Sequence, residues 1–214
     1  VTENVMAASM HNAGGLGVIH RYNTIEEQIH HVLSAMGDVE ENSGMNIAAA
    51  VGVSGDFAER ALELSNIGVK IICVDVAHGH HILMKDALSN LRKILGDDIH
   101  IMAGNVATLS GFNDLSDWGA NSVRVGIGGG SICSTRIQTG HGVPTLQSVI
   151  DCSATDRDAL IIADGGMRST GDVAKAIAGG ADLVMCGSIF AGTDQSPGEV
   201  FSSSDGKKYK VYRG

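Results

Sequence analysis

Ser122-Val123-Arg124-Val125-Gly126-Ile127-Gly128-Gly129-Gly130-Ser131-Ile132-Cys133-Ser134-Thr135-Arg136 runs from a short apolar segment into a loop of glycines, hydroxyls and one thiol. The opening residues read as a strand. The glycines after it remove Cβ atoms, so that successive N–H and C=O groups can turn toward an ion or a ligand. Cys133, beside Arg136 on such a loop, is a candidate activated nucleophile. Taken alone, the same residues also describe a glycine-rich turn with an inert, half-buried thiol. The neighbouring segments decide between the two.

Outward from this stretch the same punctuation recurs. Short apolar runs at 14–20, 46–53, 70–75, 100–103, 122–125, 160–163 and 183–186 end in Gly, Asn, Asp or His. Between them lie helical patterns at 24–36, 56–67, 81–95, 109–118, 146–152 and 170–178, with a further helix at 4–12. Thr24 and Glu27 have capping-box spacing at the start of one of these helices. Residues 38–45 read as a polar surface loop, and 207–211 as a short strand or hairpin arm. Strands alternating with amphipathic helices mean parallel βα units. Seven such strands with polar or glycine C-terminal ends point to a (β/α)8 TIM barrel rather than an open doubly wound sheet. The strand needed for closure would precede Val1, so the sequence is expected to begin after the first strand. No composition break divides it, so 1–214 reads as a single domain.

Composition supports this reading. At 43% hydrophobic the chain can bury one substantial core, and with aromatics at 4% that core must be aliphatic. Glycine is abundant, at 29 residues against 2 prolines, and falls at strand ends, which suits many tight βα turns rather than a linker. A net charge of −9 argues against a nucleic-acid or anionic-membrane surface. Any phosphate must therefore be held locally, by amides and a few basic side chains. Cys73, Cys133, Cys152 and Cys186 have no CxxC spacing and read as free thiols of a cytoplasmic protein. His30, His31, His78, His80 and His81 fit no standard metal spacing.

A barrel of this kind carries its chemistry on the C-terminal ends of the strands. Those ends are His20-Arg21, Gly52, Asp75, Gly104-Asn105, the 126–136 loop, Asp164-Gly165-Gly166 and Gly187-Ser188. A carboxylate followed by two glycines suits a close approach to a sugar's hydroxyl pair. Gly187-Ser188, after the last strand, suits a phosphate. Asp75 and Asn105 could each instead serve only a local turn.

These residues, with VTENVMA, GGLGVIHR, DVAHGH, MAGNVAT, VRVGIGGGSICSTR, TGHGVP, ADGGMRSTGDVAKAI, GSIFAGTDQSPGE and YKVYRG, resemble the inosine-monophosphate dehydrogenase / guanosine-monophosphate reductase family over essentially the whole sequence. The resemblance implies a purine nucleoside monophosphate as substrate. Cys133 would attack the purine C2 carbon to form a thioimidate, with Thr135 assisting there. Ser131, Gly187, Ser188 and Tyr212 would hold the 5′-phosphate, and Asp164 with Gly165 and Gly166 the ribose side. Asn105 and Arg124 would lie close to the reacting centre, and Asp75 with Ala77 would contact the nicotinamide cofactor. The carbonyls of Gly128, Gly130 and Cys133 match the family's potassium (K+) loop. The resemblance further implies a homotetramer. Gly129 stands where the family usually has Pro, and Ser134 where Thr is common. The family's mobile flap would follow Gly214, so the sequence as given is expected not to turn over.

Two directions share the covalent step. The connection from Arg21 to Ala48 is too short for the CBS module inserted in most dehydrogenases. The run Asp75-Val76-Ala77-His78-Gly79 and the stretch Asp205–Lys210 also resemble the reductase. GGLGVIHR, RSTGD, GTDQSPGE and YRG resemble the dehydrogenase. The balance favours GMP reductase with NADPH over IMP dehydrogenase with NAD. A reading of another class is a catalytically silent nucleotide-binding fragment.

Overall fold

The computed structural model describes residues 2–39 and 47–212. In chain order the elements are α1 (Asn4–Asn12), β1 (Gly17–Ile19), α2 (Ile25–Gly37), β2 (Ile47–Val51), α3 (Phe57–Asn66), β3 (Ile71–Asp75), α4 (Ile82–Leu95), β4 (His100–Val106), α5 (Leu109–Asp117) and β5 (Ser122–Val125). They continue with α6 (Thr135–Thr139), α7 (Thr145–Cys152), β6 (Leu160–Asp164), α8 (Thr170–Ala178), β7 (Leu183–Met185), β8 (Val200–Ser202) and β9 (Lys208–Lys210). The first seven strands form one parallel sheet in sequence order, and β8 and β9 pair separately as an antiparallel hairpin. The architecture is a (β/α)8 barrel that is incomplete among the described residues, since β1 and β7 do not pair. Thr2 makes a parallel bridge to Ile19, so the chain start runs alongside β1 where an eighth strand would lie.

Four helices, α2, α4, α5 and α8, start at a side-chain cap. The Thr24 hydroxyl accepts from Glu27 N–H and the Glu27 carboxylate accepts from Thr24 N–H, the expected capping box. Ser169 and Asp172 repeat it at α8. In α4 the buried residues are Met84, Ala87, Leu88 and Leu91, the i, i+3, i+4, i+7 stripe that packs a helix on a sheet. Each large side chain in such a stripe contributes on the order of 1.5–3 kcal/mol on burial.

Strand alternation divides the core into two. Ile72 and Val74 of β3, Ile101 and Ala103 of β4, Val123 and Val125 of β5, and Ile161 and Ala163 of β6 join the large cluster beneath the helices. Ala50, Cys73, Met102 and Ile162, on the opposite face, fill the inside of the barrel. The rim residues continue this inward file at the strand ends.

All seven strands appear, within a few residues of their expected bounds. β4 runs three residues further than expected, to Val106, because the backbone continues pairing past the expected end at Ala103. α6 is an unexpected helix: five residues lack the length for a periodic signal. Most of the expected loop at 38–45, the start of the strand expected at 46–53 and the last residues of YKVYRG lie outside the described residues. Among the described residues no helix is long and apolar enough to cross a membrane.

Candidate active site

The inward-facing ends of β3, β4, β5 and β6 converge on Arg124, whose 6% exposure makes it a buried cation. Its Nε donates to Asn105 Oδ1 at 2.9 Å and lies 3.6 Å from Asp164 Oδ2. One terminal nitrogen donates to Cys73 Sγ at 3.0 Å, and the other closes an ion pair with Asp75 Oδ1. Asn105 Nδ2 donates to Asp164 Oδ2 at 2.8 Å and to the Gly126 carbonyl at 2.7 Å. One guanidinium and one carboxamide thus tie the carboxylates of β3 and β6 across the strands between them.

Sequence makes room for this hub. Gly104 pairs with Arg124 in the β4–β5 register, and a Cβ there would lie 2.7 Å from Arg124 Cβ. Gly126 leaves β5 at φ +147°, and a Cβ would run into the Asp164 carbonyl oxygen, so the loop can cross β6 only as glycine.

Burial opposes the charge on Arg124, but the carboxylates of Asp164 and Asp75 more than offset it and move its pKa above the ordinary value. The guanidinium stays charged at all working pH values. Burial pushes the Cys73 thiol up, so Cys73 meets Arg124 as a neutral thiol.

The Cys133 loop closes on itself through Cys133 N–H donating to the Gly130 carbonyl at 3.1 Å. Cys133 Sγ lies 3.3 Å from Thr135 Oγ1. The Thr135 hydroxyl and then the Thr135 N–H, donating to a thiolate, hold this thiol below its ordinary range. Partial burial opposes them, and Arg136 and Gly128 N–H reinforce them. Cys152 and Cys186 shift the opposite way, burial being the leading cause for both. All four cysteines are free, and Cys133 is the one set apart as a nucleophile.

A cleft of about 310 Å3 brings Cys133, Thr135, Gly128, Gly130, Asn105, Arg124, Asp164 and Gly165 together with Asp75 and Ala77. Arg21 and Tyr22 also line it. Ser131, Gly166, Gly187, Ser188 and Tyr212 are not in its lining. Ser131 is exposed on the loop. Ser188, just past β7, donates through Oγ to the Met167 carbonyl at 3.5 Å. A wider hollow of about 450 Å3 lies over Glu3, His20, His30 and His31. It shares Tyr22 with the cleft but offers no thiol and no glycine loop. Among the described residues no group of three or more His, Cys, Asp or Glu is arranged to hold a metal.

Sequence reasoning did not assign Arg21 or Cys73 to the site. Arg21 Nη2 donates to the Asp75 carbonyl at 3.2 Å, and its guanidinium lies 5.4 Å from the Tyr22 ring centroid. A signal for Cys73 was present: it precedes Asp75 by two residues, and a strand's period places both on one face.

A parallel barrel sheet thus carries, on the loop after β5, a thiol held below its ordinary range, in one cleft with a carboxylate–arginine–carboxylate hub. The family model described as IMP dehydrogenase / GMP reductase domain matches residues 1–214, and the chain belongs to that family of nucleotide oxidoreductases. It is 48% identical over 170 residues to the inosine-5′-monophosphate dehydrogenase of Nitrosopumilus maritimus, covering 78% of this chain and 35% of that protein. It is 46% identical over 171 residues to the GMP reductase of Leishmania major, with the same coverages of 78% and 35%. The crystal structure of inosine 5′-monophosphate dehydrogenase from Legionella pneumophila superposes with a TM-score of 0.88 at 46% identity, covering 100% of this chain and 62% of that one. The chain thus spans about a third of the length of these curated relatives.

Proposed function

We propose that this chain forms the nucleotide- and cofactor-facing barrel of an NAD-linked IMP dehydrogenase, a single domain without an inserted CBS module. The observation that carries this reading is the lowered thiol of Cys133 in one cleft with Asp75, Arg124 and Asp164. Named relatives fall mostly on the dehydrogenase side, against the reductase leaning of Asp75-Val76-Ala77.

In the proposed reaction the Cys133 thiolate bonds to C2 of the purine, and the hydrogen at C2 departs with its electron pair. A nicotinamide cofactor held beside Asp75 and Ala77 would supply the acceptor for that hydride. Water then adds to C2 of the thioimidate and the Cys133–C2 bond breaks, returning the thiolate and leaving the 2-oxo purine; one proton of the water stays on a ring nitrogen and the other is released to solvent. Thr135 stabilises the thiolate before attack and after release. Asp164 receives the ribose hydroxyls, held in place by Asn105 and Arg124. Asp75 and Ala77 line the cleft where the nicotinamide riboside would enter, with Asp75 fixed by Arg124. Ser131, Gly187, Ser188 and Tyr212 hold the 5′-phosphate beyond the cleft, and Gly166 stays with Asp164 on the ribose side. The carbonyls of Gly128, Gly130 and Cys133 are the candidates for a potassium ion. Gly130's already accepts one bond, and a carbonyl's second lone pair remains for an ion.

The test is to offer the full-length protein IMP with NAD and, separately, GMP with NADPH, following the nicotinamide absorbance, alongside Cys133→Ala. Turnover of IMP with NAD, abolished in Cys133→Ala while IMP still binds, supports the proposal. Turnover of GMP with NADPH alone would make the protein a reductase. Binding of IMP with turnover of neither pair would leave a nucleotide-binding module.

A further inference from the structure

Lys210 ends β9, outside the cleft, yet its ammonium is fully engaged. Nζ donates to the carbonyls of Thr193 at 2.9 Å, Asp194 at 3.2 Å and Ser196 at 2.5 Å, with the Ser196 hydroxyl at 3.4 Å. All four acceptors belong to the turns that follow β7. These turns are stacked one on the next, beginning at Gly187. The Gly187 carbonyl accepts from Phe190 and Ala191 N–H, both at 3.1 Å, and Thr193 N–H donates to the Phe190 carbonyl at 3.1 Å. Ser196, only 8% exposed, donates through its N–H to the Thr193 carbonyl at 3.3 Å and through its hydroxyl to the Ala191 carbonyl at 2.7 Å.

Two residues beyond Lys210, the Tyr212 hydroxyl occupies the space that a Cβ on Gly187 would need. The contacts therefore close a ring: the end of β7, the turns, the Lys210 ammonium, β9, Tyr212, and Gly187 again. Apolar burial does little to fix the hairpin that carries Tyr212. Val200 and Tyr209 are each 53% exposed, and Phe201 40%. A multidentate polar clamp is what remains to set the position of Tyr212. The ammonium is committed to turn oxygens, so it is not a direct ligand for a phosphate.

We propose that Lys210 is a positioning residue for a phosphate monoester: by clamping the 187–196 turns to β9 it sets the Tyr212 hydroxyl against Gly187-Ser188. The inference rests on the proposal above that the nucleotide's 5′-phosphate is held there. A small displacement of a positioned hydroxyl is enough to lose its contribution.

The experiment is calorimetric titration of the full chain with IMP and with inosine, which lacks the phosphate, for the parent, Lys210→Met, Tyr212→Phe, their double variant, and Ser188→Ala. Lys210→Met is expected to weaken IMP about tenfold, equivalent to ~1.4 kcal/mol, and to leave inosine unchanged. Adding Tyr212→Phe to Lys210→Met is expected to cost little more, because the hydroxyl is already displaced. Losses that add in full, or an equal loss for inosine, would overturn the role of Lys210. A selective effect of Ser188→Ala with none from Lys210→Met would overturn it too, while leaving the phosphate placement intact. If instead Ser188→Ala and Tyr212→Phe both leave the IMP-to-inosine affinity ratio unchanged, the phosphate placement itself fails. Should Lys210→Met not fold, Ser196→Ala removes one acceptor and is expected to shift IMP in the same direction by a smaller factor. No shift would count against the clamp.

Discussion

Replacing Arg124 by Met keeps much of the side chain's length and deletes the charge that Asp75, Asp164 and Asn105 share. Breaking a buried ion pair from one side costs about 3–5 kcal/mol, because the remaining charge loses its partner without regaining bulk water. Here two carboxylates are left. Their side chains keep 31% and 22% exposure, so water re-solvates them in part. The expected loss is therefore nearer the bottom of that range, about 3 kcal/mol. Urea unfolding measures it: the midpoint should fall with little change in slope, since the area exposed on unfolding is unchanged. The cause has its own signature. Asp75→Asn or Asp164→Asn is destabilising in the parent but should restore about 1 kcal/mol in the Arg124→Met background, where each removes an orphaned charge. A loss in Arg124→Met below about 0.5 kcal/mol, the ordinary scatter of surface substitutions, would refute the hub. So would a carboxamide variant as harmful without Arg124 as with it.

Thr135→Val should slow alkylation of Cys133 by iodoacetamide at neutral pH, because the hydroxyl that most favours the thiolate is gone. Peptide mass spectrometry separates Cys133 from the buried Cys73 and Cys152, and an unchanged rate would place the activation elsewhere. Cys152 gives a pH prediction. Burial pushes its thiol from 9.0 up to about 11 in the folded chain, so between these values the unfolded state has already lost the proton that the native state keeps. Stability should therefore fall as pH rises from about 9 to about 11 and be unaffected below. Unfolding midpoints of the parent and Cys152→Ala across that interval check it, the variant losing that part of the slope.

Much of the fold was legible because its signals are local. The helical pattern at 81–95 and the Thr24–Glu27 capping box each involve neighbours within a few turns, and both appear as read, the first as α4. The α6 turn after Cys133 and the partner strand β8 were not legible, being too short to show a period. At the site, Cys133 with Thr135 stood two residues apart on one loop and could be paired from spacing. The Arg124 hub could not: Cys73, Asp75, Asn105 and Asp164 come from three other strands, separated from it by 19 to 51 residues. The direction of hydride transfer was not legible: Val76 and the short β1–β2 connection lean to the reductase, whereas the named relatives are mostly dehydrogenases.

By itself, the sequence determined that strands and helices alternate, that glycines and carboxylates stand at the strand ends, and that Cys133 is the thiol to examine. Periodicity and turn chemistry act within a few residues and need no partner. Tertiary structure alone decided which strand ends meet. Parallel pairing sets Gly104 beside Arg124, the missing Cβ admits the guanidinium, and the pleat turns Cys73 and Asp75 to the same inner face. Register and depth between strands are properties of the assembled sheet. They are why two carboxylates on β3 and β6 share a single buried cation.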